Sequence, residues 1–231
     1  MVMGRIAVLD LARLWARISI WLLRVVCKMN VEFRGLENLP EGGYILAPKH
    51  QSVLETFAIT LLARDFSYIL KHELMWIPFF GWYLKAADQI GINRSSGSSA
   101  LKQITEKTGA AMKEGRVIFI FPEGTRRPVF GAPKYKYGVA HLYSELDATV
   151  VPVALDTGLF WPRRTFLRRP GTAVIEVLPA MPRGLEKEAF LSALQERLET
   201  KTNALIAEAV AADPSIAPRS AAAPADAANR S

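Results

Sequence analysis

Two side chains in the segment KHQSVLET, residues 49–56, have types and spacing suited to proton transfer. His50 has an unperturbed pKa of about 6.5, which suits a general base near neutral pH. Glu55 lies five positions later and could hold the imidazole in one tautomer, as the acid does in a serine-protease triad. The chain has no Gly-x-Ser-x-Gly turn that would supply a serine nucleophile. The base would therefore act on the hydroxyl of a bound substrate.

The same two residues also allow a purely structural interpretation. Positions i and i+5 of one helix point about 140° apart, so His50 and Glu55 can meet only if the helix begins between them. Ser52 would then be the N-cap and Glu55 the third helical residue, which is the arrangement of a capping box. This segment by itself leaves both roles of Glu55 open, the catalytic partner and the helix cap.

A second polar cluster follows a buried strand pattern in FPEGTRR, residues 121–127. Gly124 would let the backbone approach a ligand closely. The guanidinium of Arg126 matches the geometry of a phosphate or a carboxylate. Arg94 ends another predicted strand. Groups just past the carboxyl ends of strands share one crevice in an open α/β sheet, so we expect His50, Arg94 and Arg126 to lie in one site.

The elements that must position these clusters alternate between strands and helices. A strand-like run precedes each cluster, the first one ending at His50, and helical patterns follow. The alternation predicts an α/β fold with a mostly parallel sheet flanked by helices. We expect this domain to occupy residues 30–210. The Ala/Pro/Ser-rich tail, residues 211–231, is predicted to be disordered.

Residues 1–29 predict an amphipathic, membrane-associated helix. Nearly every residue from Val8 to Val26 is apolar, including Trp15 and Trp21, and the cations occupy a stripe about 60° wide, formed by Arg13, Arg17, Arg24 and Lys28. The chain has no run of about 18 uncharged apolar residues, so a plain transmembrane span is not expected. A helix lying in the membrane interface fits this pattern better than a helix packed on the domain with a solvated edge.

Composition restricts the remaining chemistry. The 231 residues carry 29 basic and 22 acidic side chains, a net charge of +7, which favours an anionic partner such as nucleic acid, a lipid surface or a phosphorylated substrate. The single cysteine, Cys27, excludes an internal disulfide and a cysteine-based zinc site. Glycine-rich nucleotide-binding motifs are absent. Residues 161–169, WPRRTFLRR, could contact phosphates of lipid or nucleic acid, or form a solvated loop.

In combination, these motifs resemble the glycerolipid acyltransferase family, and the likeness is greatest to members that acylate 1-acylglycerol-3-phosphate. The motifs that carry it are, in chain order, KHQSVLET at 49–56, GINR at 91–94, FPEGTR at 121–126 and VPVAL at 151–155. The likeness covers roughly residues 30 to 180. It departs from the family pattern at Glu55, where aspartate is more common.

The resemblance implies a direct acyl transfer. His50, oriented by Glu55, would deprotonate the free hydroxyl of lysophosphatidic acid, which would attack the thioester of acyl-coenzyme A or acyl carrier protein and give phosphatidic acid. The donor is a substrate, and neither a bound cofactor nor a metal is implied. The implied substrate-binding residues are Arg94, Glu123, Gly124, Thr125 and Arg126.

The resemblance also implies membrane lipids as partners and no nucleic acid. It places the protein at the cytoplasmic face of a membrane, expected to be a bacterial inner membrane. Two alternatives stay open on the sequence alone. The same chemistry could act on glycerol-3-phosphate or a lyso-aminolipid, or the protein could be a non-enzymatic binder of anionic lipids, which would leave His50 and the segment 121–127 unexplained.

Overall fold

The structure is a computed structural model, and it describes residues 4–93 and 97–217. Its strands are β1 Met29–Arg34, β2 Ile45–Pro48, β3 Phe66–Lys71, β4 Ile90–Ile92, β5 Val117–Phe119, β6 Val150–Leu155 and β7 Gly171–Val177. They form one sheet in the order β1-β7-β6-β2-β5-β3-β4. The five strands from β6 to β4 are parallel, whereas β7 is antiparallel to β6 and parallel to β1. The predicted α/β fold with a mostly parallel sheet is therefore confirmed.

Helices cover both faces of this sheet. In the described residues they are α1 Arg5–Cys27, α2 Leu54–Ala58, α3 Phe80–Ala86, α4 Gly97–Lys113, α5 Gly138–Glu145, α6 Thr157–Phe160 and α7 Lys187–Ala212. Single 3₁₀ turns extend α2 over Ile59–Leu62 and precede α3 over His72–Trp76. The helix for which Ser52 was the predicted N-cap begins instead at Leu54, with Val53 as its N-cap, and it is a short α-helix that tightens into a 3₁₀ turn.

The central strands are apolar on both faces because each face is covered. Successive side chains of a strand point to opposite faces, and neighbouring residues accordingly enter different cores. One core contains Ile45, Ile118 and Val150 together with residues of α4, α5 and α7. The next residue of each strand, Leu46, Phe119 and Val151, enters the other core, which includes residues of α1. This two-sided burial holds the carboxyl ends of β2, β5 and β6 side by side.

Helix α1 packs on the sheet by only part of its surface. Val8, Leu9 and Ala16 are buried. Eight large apolar side chains remain exposed, namely Leu11, Leu14, Trp15, Ile18, Trp21, Leu22, Val25 and Val26. Among the described residues, no helix combines the length and apolar character needed to cross a bilayer.

The ordered chain continues past the predicted domain boundary at residue 210. Helix α7 runs to Ala212, and a 3₁₀ turn, Pro214–Ile216, follows it. Ile216 is buried against a core cluster that also contains Ala16 and Met29. Residues 211–217 of the predicted tail are therefore folded, and residues 218–231 lie outside the described part of the chain.

Candidate active site

The turn between β2 and α2 presents His50 at the carboxyl end of the sheet. Strand β2 ends at Pro48, two residues earlier than predicted. The backbone N–H of His50 donates to Oε2 of Glu123 at 2.8 Å, and its carbonyl accepts the N–H of Arg127 at 2.7 Å. Glu123 and Arg127 follow β5, the neighbour of β2. The main chain of His50 is therefore held by the segment that follows the adjacent strand.

The ring of His50 is oriented by its neighbours and is partly accessible to solvent. Its Nδ1 lies 2.9 Å from Oε1 of Glu55, and the ring stacks on Phe121 with centroids 3.9 Å apart. The side chain retains 14% exposure. A carboxylate only accepts hydrogen bonds, so Nδ1 carries the proton and Nε2 of the neutral ring is the acceptor. This geometry suits a general base that acts through Nε2.

Glu55 is completely buried and is surrounded by donors. Besides Nδ1 of His50, its Oε1 accepts the backbone N–H groups of Gln51 at 2.9 Å and Ser52 at 2.8 Å. Its Oε2 accepts the hydroxyl of Thr157 at 2.7 Å and, at 3.0 Å, the N–H of Ser52 as well. Such bonds compensate the cost of burying a carboxylate. One carboxylate thus closes the turn before α2 and contacts the His50 ring, so the two interpretations of Glu55 are compatible.

Two residues after β6 complete this arrangement, and neither was identified from the sequence. Thr157 donates to Glu55, and the N–H of Gly158 donates to the side-chain oxygen of Gln51 at 3.2 Å. A Cβ at Gly158 would lie 2.9 Å from Cβ of Gln51, so this close approach requires glycine. The available signal was a polar Asp-Thr pair directly after a strand, which is the same signal that pointed to His50 and Glu123.

Glu123 lies on the inner side of the site. It is completely buried, and its Oε1 accepts a hydrogen bond from Nζ of Lys49 at 3.0 Å while Oε2 holds the backbone of His50. Lys49 also pairs with Glu199 of α7, which accepts the hydroxyl of Tyr135 at 3.0 Å. Burial raises the pKa of Glu123, and the charge of Lys49 opposes the rise. Glu123 was expected to bind substrate, but both of its carboxylate oxygens have protein partners.

The rest of the segment 121–127 reaches the surface. Gly124 has a φ of 65°, a left-handed conformation that favours glycine. Thr125 and Arg126 are exposed. The carbonyl of Arg126 accepts a hydrogen bond from Arg163 at 2.7 Å, but the Arg126 guanidinium forms no ion pair with any described residue. It is therefore accessible to an anionic ligand.

Of the three clusters expected to share one site, the structure brings two together. His50 and the segment 121–127 lie together because β2 and β5 are neighbours. Arg94 lies outside the described residues, as it follows Asn93, the last residue before the gap. Strand β4, which precedes it, is separated from β5 by β3. The described site thus combines an oriented base with an exposed guanidinium, an arrangement able to activate the hydroxyl of an anionic substrate.

Comparisons with known proteins agree on one family. A family model described as acyltransferase matches residues 30–156. A 1-acyl-sn-glycerol-3-phosphate acyltransferase of Pseudomonas aeruginosa is 38% identical over 194 residues, which are 84% of this chain and 76% of that protein. A chloroplastic enzyme of the same name from Arabidopsis thaliana is 32% identical over 158 residues, 66% of this chain and 42% of that protein.

The fold also matches a solved structure. The crystal structure of the 1-acyl-sn-glycerophosphate acyltransferase from Thermotoga maritima superimposes with a TM-score of 0.69. The match covers 87% of this chain and 81% of that one, at 23% sequence identity. This likeness concerns the fold.

Proposed function

Because this chain belongs to the acyltransferase family, we propose that it transfers a fatty acyl group from an acyl thioester to the free hydroxyl of 1-acylglycerol-3-phosphate, which gives phosphatidic acid. The resemblance read from the motifs is confirmed at the family level. The relative from Pseudomonas aeruginosa carries the name of this reaction. The observation that carries the mechanism is the buried carboxylate of Glu55 on Nδ1 of His50, which directs Nε2 toward a substrate.

The reaction follows from this geometry. Nε2 of His50 takes the proton of the acceptor hydroxyl while the hydroxyl oxygen attacks the thioester carbonyl and forms the tetrahedral intermediate. The positive charge that develops on the imidazole lies beside Glu55, which stabilises it. When the intermediate collapses, the C–S bond breaks and the thiolate takes the proton back from Nε2. His50 and Glu55 therefore return to their initial protonation states after each transfer.

The acceptor is assigned from the charge at the edge of the site. Arg126 presents an exposed guanidinium and belongs to the segment 121–127, which holds the main chain of His50. The forked guanidinium of an arginine matches a phosphate. Both 1-acylglycerol-3-phosphate and glycerol-3-phosphate carry this group, whereas a lyso-aminolipid does not. Arg94 is proposed as a second phosphate ligand on the family resemblance alone. The donor is proposed to be acyl-coenzyme A or acyl carrier protein.

Exposed apolar side chains support the proposal that the protein acts at a lipid surface. Besides the eight apolar side chains of α1, the connection between β3 and β4 exposes Trp76, Phe79 and Trp82 by 75%, 77% and 64%. Contiguous apolar surface of this kind marks an interaction site in a soluble protein, and the acyl groups of both substrates are apolar. Arg17 and Arg24, exposed on α1, would face the head groups. This surface supports our proposal that the protein works at a membrane; the cytoplasmic face of a bacterial inner membrane is proposed on the family resemblance alone.

The test is an assay of acyl transfer with a panel of acceptors. Purified protein is incubated in detergent micelles with acyl-coenzyme A and, separately, 1-acylglycerol-3-phosphate, glycerol-3-phosphate and a lyso-aminolipid, and products are identified by mass spectrometry. Phosphatidic acid is expected from 1-acylglycerol-3-phosphate, and no acylated product is expected from the other two acceptors. His50→Ala should lower the rate by about 10²–10⁴-fold with an unchanged circular dichroism spectrum. Binding of the lipids without turnover would favour the non-enzymatic alternative.

A further inference from the structure

The connection between α6 and β7, residues 161–170, which we name the arginine loop, is strongly basic. It contains four arginines, and the chain carries no acidic residue between Asp156 and Glu176. None of the four forms an ion pair with an acid in the described part of the chain. Within the described residues this positive charge is not neutralised, and it is available to an anionic partner.

The tip of the arginine loop is apolar and faces solvent. Phe166 is 100% exposed and Leu167 is 49% exposed. Arg164 beside them is exposed as well. Bulky apolar side chains surrounded by arginines, at the end of a protruding loop, suit a partner that offers hydrocarbon and anionic groups in adjacent layers. A phospholipid bilayer has this organisation.

The base of the arginine loop is fixed to the domain. The guanidinium of Arg169 donates to the carbonyls of Leu159 at 2.9 Å and Ile216 at 3.1 Å. Arg168 lies over the ring of Trp161, 3.4 Å from its centroid. Arg163 donates to the carbonyl of Arg126. The tip is therefore held in place, and its support is connected to the segment that carries the proposed phosphate ligand.

The arginine loop continues the apolar surface of α1. Its end meets the end of the helix, since the N–H of Gly171 donates to the carbonyl of Lys28 at 3.0 Å. The last turn of α1 exposes Val25 by 47% and Val26 by 72%. Farther along the helix, Trp15 contacts Phe57, which in turn contacts Trp161. The arginine loop and the exposed last turn of α1 thus lie at the carboxyl end of the sheet, as His50 does.

We propose that the arginine loop is a second membrane contact, in which Phe166 and Leu167 enter the interfacial layer of an anionic phospholipid bilayer and Arg163 and Arg164 bind lipid phosphates. The inference extends the membrane attachment in the proposed function from α1 to a separate surface. Docking of the loop would place Arg126 at the level of the head groups, because Arg163 connects the two segments. A lipid acceptor could then present its phosphate to Arg126 without leaving the membrane.

The first test places a reporter on the tip. Leu167→Cys is introduced with Cys27→Ser, which removes the single native cysteine, and is labelled with a polarity-sensitive dye. Leu36→Cys is the matched control, because Leu36 is 47% exposed and follows β1 at the other end of the strands. Vesicles of phosphatidylcholine with phosphatidylglycerol should shift the emission of the dye to the blue at position 167 and not at 36.

Two results would overturn the proposal. The first is an unchanged emission at position 167 with vesicles that sediment the protein. The second is the same shift with acyl-coenzyme A below its micelle concentration and no vesicles, which would assign the loop to the donor. Transfer by unlabelled wild-type protein in micelles is measured separately, so a failure of the proposed function would leave the reporter result standing.

The second test needs no new cysteine. Arg164→Gln should weaken partitioning onto the anionic vesicles by about fivefold, the contribution of one cation near such a surface, with little change on pure phosphatidylcholine. Phe166→Ser should weaken binding to both vesicle types. Arg183→Gln is the charge control, because Arg183 contacts Asp147 and Thr149 just before β6, at the other end of the strands; this variant should bind as the wild type does. Wild-type partitioning of both loop variants would show that the loop does not touch the bilayer.

Discussion

Oε1 of Glu55 lies 2.9 Å from Nδ1 of His50 and also accepts the backbone N–H groups of the turn between the two residues. The same carboxylate therefore shapes the turn and orients the ring that the turn presents. The side chain is buried. Glutamine would remove its negative charge and keep most of its hydrogen bonds, whereas aspartate would keep the charge and shorten the side chain. The two contributions have different consequences for activity and for stability.

Glu55→Gln is expected to lower kcat by about 10²-fold, on the scale of general acid–base contributions, with little change in Tm. The amide oxygen can retain the contacts of Oε1, including the shorter of the two bonds from the N–H of Ser52, and the hydroxyl of Thr157 can rotate to accept from the amide nitrogen. What is lost is the negative charge beside the protonated ring. A glutamine variant with full kcat would show that Glu55 acts only as a cap.

Glu55→Asp should keep part of kcat but lower Tm. The aspartate retains the charge, which the family pattern more often supplies with this residue, so part of kcat should remain. Its shorter side chain cannot keep every contact with Ser52 and Thr157, so Tm should fall. The measurement is kcat beside thermal unfolding for both Glu55 variants, and a fully inactive but stable aspartate variant would contradict this account.

Thr157→Val should impair the enzyme through Glu55, which it positions. The valine keeps the shape but removes the shorter of the two hydrogen bonds to Oε2 of a buried carboxylate, a loss of roughly 1–3 kcal/mol in the free energy of unfolding. We also expect a lower kcat with an unchanged KM for the acceptor. Thr157→Ser should restore both quantities. A lower Tm with normal kcat would mean that Thr157 is structural only.

Arg126→Ala should raise the KM of the phosphate acceptor far more than that of the acyl donor, because the phosphate loses a bidentate partner. The carbonyl that Arg163 binds remains in the variant, so the segment should stay folded. Arg126→Lys should rescue poorly, since lysine lacks the fork. Arg183→Ala serves as the charge control, and equal effects of Arg126→Ala on both substrates would argue against phosphate binding.

Asp156→Asn should change how stability depends on pH. Burial raises the pKa of Asp156 from 3.8 to about 7, so between these values the folded protein holds a proton that the unfolded chain has lost. The free energy of unfolding therefore falls as pH rises from about 4 to about 7, by at most about 4 kcal/mol for this group. Asparagine can still accept the N–H of Val174, as Oδ1 does at 2.7 Å.

The measurement compares urea unfolding of the wild type and Asp156→Asn across this pH range. Other carboxylates affect both proteins alike, so the difference isolates Asp156. The variant should gain stability relative to the wild type as pH rises. A difference that does not vary with pH would show that Asp156 ionises normally in the folded protein.

Local sequence patterns determined the elements and the pairing of the proposed base with its carboxylate. Two-sided apolar runs such as VVPVAL form central strands wherever both faces of a sheet are covered, and β6 is buried along its whole length. A histidine after one such run and an acid at the start of the next helix can meet through a short turn. The pair of His50 and Glu55 was therefore predictable, because its geometry depends on five neighbouring positions.

The tertiary structure alone decided which distant residues complete the site. Thr157 reaches Glu55 across 102 positions because β6 is the neighbour of β2, and strand order is not encoded in local periodicity. Glu123 turned out to be buried behind His50, since β5 lies on the other side of β2. The exposed face of α1 likewise depends on how far the sheet covers it. Contacts between elements arise from the packing of the whole chain, whereas a motif records only what neighbouring residues can do.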